Sequence, residues 1–250
     1  MTATFRFYGD LNDLLPRERR QAAFAVPTHH GDQSVKHLME ALGVPHTEAA
    51  LILANGAPVD FGYQVQPGDR IAVYPPFSTL EPPENGRLRP PLPRPARFLL
   101  DNHLGRLARY LRLLGLDALY FNNQYDDAQL AQMAHETQRV LLSRDRGLLK
   151  RSQVVYGYCL RTKASRQQVI DVLRRYRLRD EIRPWTRCLR CNGLLAPAAK
   201  ADILARLAPK TQRYFEEFQM CRECGQIYWQ GSHFGKLQAF VEQVTRAAGA

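Results

Sequence analysis

No run of about 18 apolar residues occurs in the 250-residue chain, which excludes a membrane-spanning helix by length alone. The opening residues, Met1-Thr-Ala-Thr-Phe-Arg, lack the apolar core of a secretion signal. A soluble, cytoplasmic protein without a membrane partner is therefore expected. Cysteine is scarce: five occur, and four of them form two C-x-x-C pairs, a pattern that in an intracellular chain favours metal over disulfides. Acid is scarce after residue 80, where 29 Lys/Arg stand against 16 Asp/Glu, while residues 1–80 hold 6 against 8. The net charge of +11 thus comes wholly from the later part. A basic segment beside a slightly acidic one suggests that only the later part meets a polyanion. The plainer reading is a basic solvated surface.

Half of the sixteen prolines fall between Pro75 and Pro95, so residues 78–96 read as an extended, semi-stiff linker. Before it, Thr2–Tyr8 and Ala22–Val26 alternate as strands. Ser34 caps an amphipathic helix that stops at Gly43. Further strands follow at Ala50–Leu53, at Pro58–Val59 after an Asn55-Gly56 turn, and at Arg70–Tyr74 after Pro67-Gly68-Asp69. Residues 1–77 are expected to form a small α+β domain. After the linker, strand and helix alternate. Strands are expected at Arg97–Leu100, Ala118–Phe121, Arg139–Leu142 and Val154–Leu160. Helices are expected at His103–Leu114, from Asp126 or Asp127 to Glu136, and from a capping box at Ser165-Arg-Gln-Gln168 to about Tyr176. This rhythm predicts a parallel sheet with helices on both faces over residues 97–183, in an α/β chain overall.

Within the basic part, aspartates recur where apolar runs end: Phe98-Leu-Leu-Asp101, Tyr125-Asp126-Asp127 and Leu141-Leu-Ser-Arg-Asp145. Ligands of open α/β sheets bind beyond the carboxyl ends of the strands. Asp101, Asp127 and Asp145 on one rim would repel one another unless a hard cation such as Mg²⁺ or Mn²⁺ lay between them. Asp126 is the simpler N-cap, paired with Gln129, and stays in the acidic set as their neighbour. Each aspartate taken singly is also an ordinary turn or cap residue. Arg106, Arg109 and Arg112 recur at three-residue intervals on the helix after Asp101, and Arg144, Arg146 and Lys150 flank Asp145. As a set they suggest a track for RNA phosphates; each alone reads as a solvated helix position.

Cys188-Leu-Arg-Cys191 and Cys221-Arg-Glu-Cys224 are separated by 29 residues, long enough for a helix over Ala199–Leu207 between them. Two such knuckles can surround one Zn²⁺ tetrahedrally, and a site closed by four thiolates is structural. A redox C-x-x-C is the rival reading, weakened by the two matched copies. Tyr228, Trp229, His233 and Phe234 follow the second knuckle, either to pack residues 184–250 or to stack on bases. Cys159, in an apolar strand, reads as a buried thiol.

Two resemblances follow from these residues. The first segment resembles the ubiquitin-like β-grasp of the sulfur-carrier kind in its helix placement and in Pro67-Gly-Asp-Arg-Ile-Ala-Val-Tyr-Pro-Pro-Phe77. The terminal Gly-Gly that such carriers use is absent, so a docking or regulatory role is expected, with a protein partner. Residues 97–233 resemble the Mut7-C ribonuclease family, a PIN-like nuclease followed by a zinc ribbon. That likeness is carried by Arg97 to Gly115, Asp127-x-x-Leu130, Arg139-Val-Leu-Leu-Ser-Arg-Asp-Arg146, and Cys188 through His233. It implies metal-dependent hydrolysis of RNA at Asp101, Asp127 and Asp145, leaving a 5′-phosphate and a 3′-hydroxyl, with a structural zinc ribbon. No fourth acidic residue stands at an obvious strand end, which leaves the number of metals open. The alternative is a non-catalytic RNA- or ribosome-binding adaptor that keeps the nuclease fold. A third reading is a protein-interaction module.

Overall fold

The computed structural model describes residues 1–28, 33–77 and 84–249. Strands and helices follow in order as β1 (Thr2–Phe7), β2 (Ala23–Pro27), α1 (Val35–Ala41), β3 (Leu51–Ala54), β4 (Ala57–Pro58), β5 (Arg70–Tyr74) and β6 (Arg97–Leu100). Next come α2 (Gly105–Leu113), β7 (Asp117–Tyr120), α3 (Asp127–Glu136), β8 (Val140–Ser143), α4 (Arg146–Leu149), β9 (Gly157–Cys159) and α5 (Ser165–Arg175). The chain ends with β10 (Leu195–Ala198), α6 (Lys200–Ile203), α7 (Pro209–Tyr214), β11 (Phe218–Cys221), β12 (Ile227–Tyr228) and α8 (Phe234–Ala248). They form two compact units, one of residues 1–93 and 125–161, the other of residues 94–124 and 162–250.

In the first unit a five-stranded sheet has the order β2-β1-β5-β3-β4. The central pair β1–β5 is parallel and the flanking pairs are antiparallel. The alternation Ala3, Phe5, Phe7 on β1 and Ile71, Val73 on β5 puts one face of each strand wholly inside. Helix α1 buries Val35, Leu38 and Met39, and the Ser34 hydroxyl caps it by accepting from the His37 amide at 3.2 Å. A β-rich N-terminal fold with one helix thus stands where a small α+β domain was expected. The same unit holds α3, the parallel pair β8–β9, and α4.

A buried ion pair fastens the N-terminal segment to β9. Glu48 is fully enclosed and meets Arg161 at 3.0 and 3.1 Å, while its Oε1 accepts from the Cys159 amide at 2.6 Å. His46 is held from both ring nitrogens, by Glu40 at 2.7 Å and by the Val154 carbonyl at 2.9 Å. The expected linker at residues 78–96 lies outside the described residues over 78–83. Its later part is tied down, with Arg89 donating to the carbonyls of His46, Thr47 and Ala49 and Tyr156 to that of Pro91. Removing one partner of a buried ion pair leaves the other charge uncompensated, so Glu48→Gln is expected to destabilise the protein by about 3–5 kcal/mol. A urea melt reads this directly, and a midpoint within error of wild type would show the pair to be idle.

In the second unit, β6 and β7 pair in parallel, Arg97 to Asp117 through Leu100 to Tyr120. Helix α2 returns between them with Leu107, Ala108, Leu111 and Leu114 buried on one stripe. It ends at Gly115, whose φ of +82° is the left-handed stop that glycine tolerates. A Cβ there would lie 1.9 Å from the Arg183 carbonyl oxygen, so the position admits nothing larger. Helices α2, α5 and α8 pack together, with Tyr110 stacked on Phe240 at 4.3 Å.

Two expectations need correction. Ser165 opens α5 as its first turn, with no side-chain cap, and Gln168 turns away to donate to the Thr162 carbonyl at 2.8 Å. The helix expected over Ala199–Leu207 is broken into α6 and a 3₁₀ turn at Leu204–Arg206, which lets Ile203 and Leu207 both reach the small core with Phe218 and Ile227. Among the described residues no helix is long and apolar enough to cross a membrane.

Candidate metal centre and acidic residues

The cysteine cluster is built by two turns of a three-stranded antiparallel sheet ordered β10-β11-β12, one just before β10 and one joining β11 to β12. In the first turn the Asn192 amide donates to Cys188 O at 3.0 Å and the Cys188 amide to Gly193 O at 2.8 Å. In the second, Gly225 N donates to Cys221 O at 3.1 Å and Cys221 N to Gln226 O at 2.9 Å. Asn192 and Gly225 take the positive φ these knuckles need, +77° and +68°. The four sulfur atoms of Cys188, Cys191, Cys221 and Cys224 lie within 4.8 Å of one another. Sγ–Sγ distances are 3.6 Å for Cys188–Cys224 and 3.4 Å for Cys191–Cys221. A tetrahedron with metal–sulfur bonds of ~2.3 Å has edges of about 3.8 Å, so this set fits Zn²⁺.

The surroundings favour thiolate at one corner. Burial pushes the Cys188 thiol up, but the Tyr228 hydroxyl at 3.2 Å and the Cys191 and Arg190 amides outweigh it, and the thiol falls to about 7. Desolvation and hydrogen bonds with three other sulfurs push the half-buried Cys191 up to about 12, and Cys224 is also raised. Metal binding must therefore displace protons from the cluster. Tyr228 also accepts from the Leu189 amide at 3.0 Å, which makes it a strut of the first knuckle. The sequence offered packing or base stacking for this residue; its hydroxyl bond to a ligand sulfur was not legible there.

Two further residues brace the knuckle. Arg112, 3% exposed, donates from Nε to Ala118 O at 2.8 Å and from Nη1 to Leu189 O and Arg190 O at 3.2 and 2.9 Å. Burial lowers its pKa against the pull of Cys188, Cys191, Tyr228 and Asp117. Nε and Nη1 both face the protein, so Arg112 is no surface cation. Asn192 accepts from Ala118 N and donates to Asp117 Oδ1, both at 2.9 Å, tying the knuckle to β7.

Each aspartate sits at the start of a loop or helix in its own unit. Asp101 follows β6 and accepts from the Asn102 amide at 2.5 Å, and Asn102 Oδ1 in turn accepts from Asn123 N at 2.8 Å, joining the loops after β6 and β7. Asp126 is the N-cap of α3 in a full capping box, its Oδ1 accepting from Gln129 N at 2.8 Å while the Asp126 amide donates to Gln129 Oε1 at 3.0 Å. Asp127 is half-buried and is the first residue of α3. Asp145 follows β8, caps α4 by accepting from Gly147 N at 2.6 Å, and donates from its own amide to the buried Ser143 hydroxyl at 2.8 Å. Asp127 and Asp145 belong to the first unit and Asp101 to the second.

The expected basic track divides. Arg106, Arg109 and Arg144 are exposed, Arg106 lying over Tyr110. Arg146 donates to Leu14 O at 2.7 Å and Lys150 to Glu40 O at 2.5 Å, so both hold the N-terminal segment. Cys159 is buried, its thiol raised by burial and by Glu48.

The family model described as the Mut7-C RNAse domain matches residues 96–241, more than half of the chain. The chain belongs to the Mut7-C RNase family. A second model, the Mut7-C ubiquitin domain, matches residues 1–81 of this Mut7-C protein. A human protein named exonuclease mut-7 homolog is 36% identical over 104 residues, covering 40% of the chain. The matched stretch spans only 12% of that protein's length. No solved structure matches.

Proposed function

We propose that the chain is a metal-dependent ribonuclease whose divalent ion is held by Asp101, Asp127 and Asp145. The observation that carries the reading is positional. Asp101 and Asp145 each follow the carboxyl end of a parallel strand, and Asp127 opens the helix after the next strand. The Mut7-C match and the name of the human relative support nuclease chemistry. The donor set is carboxylate oxygen, which suits Mg²⁺ or Mn²⁺ and not the thiolate-bound zinc. Such an ion, when bound, polarises the phosphate and makes hydroxide available near neutral pH.

The residues have separable tasks. Asp145 keeps a fixed orientation because Gly147 N and the Ser143 hydroxyl hold its carboxylate and its amide. Asp126 orders the first turn of α3 and so presents Asp127. Arg106, Arg109 and Arg144 supply exposed guanidinium groups for RNA phosphates. The four cysteines hold zinc without an open position, so that metal stabilises and does not react. Residues 1–77, fastened through Glu48, Arg146 and Lys150, act as an accessory domain that does no carrier chemistry and can receive a protein partner.

The test is the chemistry of the cut. Zinc-loaded protein given labelled single-stranded RNA and Mn²⁺ is expected to release fragments with 5′-phosphate and 3′-hydroxyl ends. No cleavage, or metal-independent cleavage leaving a 2′,3′-cyclic phosphate, contradicts the proposal.

A further inference from the structure

An aromatic cavity in the second unit has no part in the acidic site. It encloses about 680 Å³, within the range of small-ligand pockets, and is walled by Trp185, Phe218, Tyr228, Trp229 and Phe234. Trp185 and Phe234 pack at 4.8 Å between ring centroids, and Trp229 leans towards Phe218 at 6.4 Å. Trp229 remains 42% exposed, an unusual place for the largest apolar side chain. The turn that follows lies against its indole: Gly231 N donates to Trp229 O at 3.0 Å, and a Cβ on Gly231 would lie 2.9 Å from Nε1.

The charges around the cavity say what does not enter it. Among the described residues Arg187 is the one Lys or Arg that lines it. Its donors go to Gly115 O at 3.2 Å and Asn192 O at 2.9 Å, with Asp117 at 3.6 Å. A phosphate therefore finds no cation here. Glu217 at the rim offers a carboxylate instead, and Glu216 is engaged by Lys200 at 2.5 Å. Flat aromatic walls with acceptors at the mouth match a flat ring bearing N–H groups on its edge. The surrounding later part of the chain is strongly basic and attracts a polyanion from outside the cavity.

We propose that this cavity receives an unpaired nucleobase of the RNA, stacked against Trp229, while the exposed arginines elsewhere hold the phosphates. The proposal rests on the ribonuclease reading for its choice of ligand. Base stacking on aromatic side chains is tolerant of sequence, so the cavity would select single-stranded over paired RNA and not one sequence over another. A protein side chain or an unrelated aromatic compound is the competing occupant, and neither depends on the bases of an RNA.

Both tryptophans of the chain line the cavity, so intrinsic tryptophan emission reports on it alone. The experiment titrates the full chain with a labelled single-stranded octaribonucleotide and with an abasic strand of equal length. Mg²⁺, Mn²⁺ and chelator are left out, so that RNA stays whole and zinc stays bound. The intact RNA is expected to quench the emission and the abasic strand is not. Trp229→Ala, checked for unchanged zinc content, is expected to weaken binding of the intact RNA by about ten-fold or more and to leave the abasic strand unaffected. Equal quenching by both strands, RNA binding without any change in emission, no binding at all, or wild-type affinity in Trp229→Ala each overturns the proposal. Quenching by a protein that never cleaves RNA would sink the nuclease reading and leave the cavity assignment standing. Cleavage with silent tryptophans would do the reverse.

Discussion

Cys221→Ser is expected to empty the zinc site and to unfold the segment between Thr186 and Gln230. Structural zinc held by four cysteines contributes about 10–16 kcal/mol of apparent binding energy near neutral pH, more than so small a ribbon can replace. The core of that ribbon consists of Ile203, Leu207, Phe218 and Ile227 with a few flanking apolar groups. Without the metal, Cys191 and Cys224 hold protons, and the knuckles lose what draws them together. The damage should travel further, because Arg112 would lose the Leu189 and Arg190 carbonyls that satisfy its buried guanidinium. Elemental analysis of wild type is expected to give about one zinc per chain and of Cys221→Ser close to none, with new protease cuts in residues 186–230. A variant with full zinc and unchanged protease resistance would show that these cysteines do not share an ion.

Much of the scaffold was readable from local pattern. The alternation in β1 and β5, the leucine stripe of α2, the Asp126–Gln129 cap and the paired C-x-x-C turns all depend on residues a few positions apart. What escaped the reading depends on distant partners. Arg146 opens α4 and Lys150 caps its end, four residues on, but their acceptors, Leu14 and Glu40, lie more than a hundred residues away. The Glu48–Arg161 pair is equally remote in sequence, so an acid among threonine and alanines gave no local sign of burial.

Arg112 shows a different failure. At 3.6 residues per turn, a three-residue step falls short of a full turn by about 60°, so two steps from Arg106 carry Arg112 about 120° round the helix. What reads as one basic stripe is a spiral whose last member reaches the covered side, and there it braces the knuckle. The cavity walls were legible in part, since Tyr228, Trp229 and Phe234 stand together in the sequence. Trp185 and Phe218 join them only through the fold.

The aspartates carry the second large expectation. A carboxylate that binds a catalytic cation contributes charge that an amide of the same shape lacks. Asp101→Asn, Asp127→Asn and Asp145→Asn are each expected to slow RNA cleavage by about 10²–10³-fold, the scale seen when one electrostatic contact to the developing charge is lost. Asp126→Asn serves as the internal control, because asparagine caps a helix nearly as well as aspartate and should keep the Gln129 bond. Zinc content near one per chain in all four variants would separate lost chemistry from lost fold.

The most direct measurement is therefore the single-turnover cleavage rate of labelled single-stranded RNA in saturating Mn²⁺ for wild type and these four variants. The account predicts three rates reduced by at least about a hundred-fold and an Asp126→Asn rate close to wild type. Four rates equal to wild type, or an inactive wild type alongside inactive variants, would contradict it.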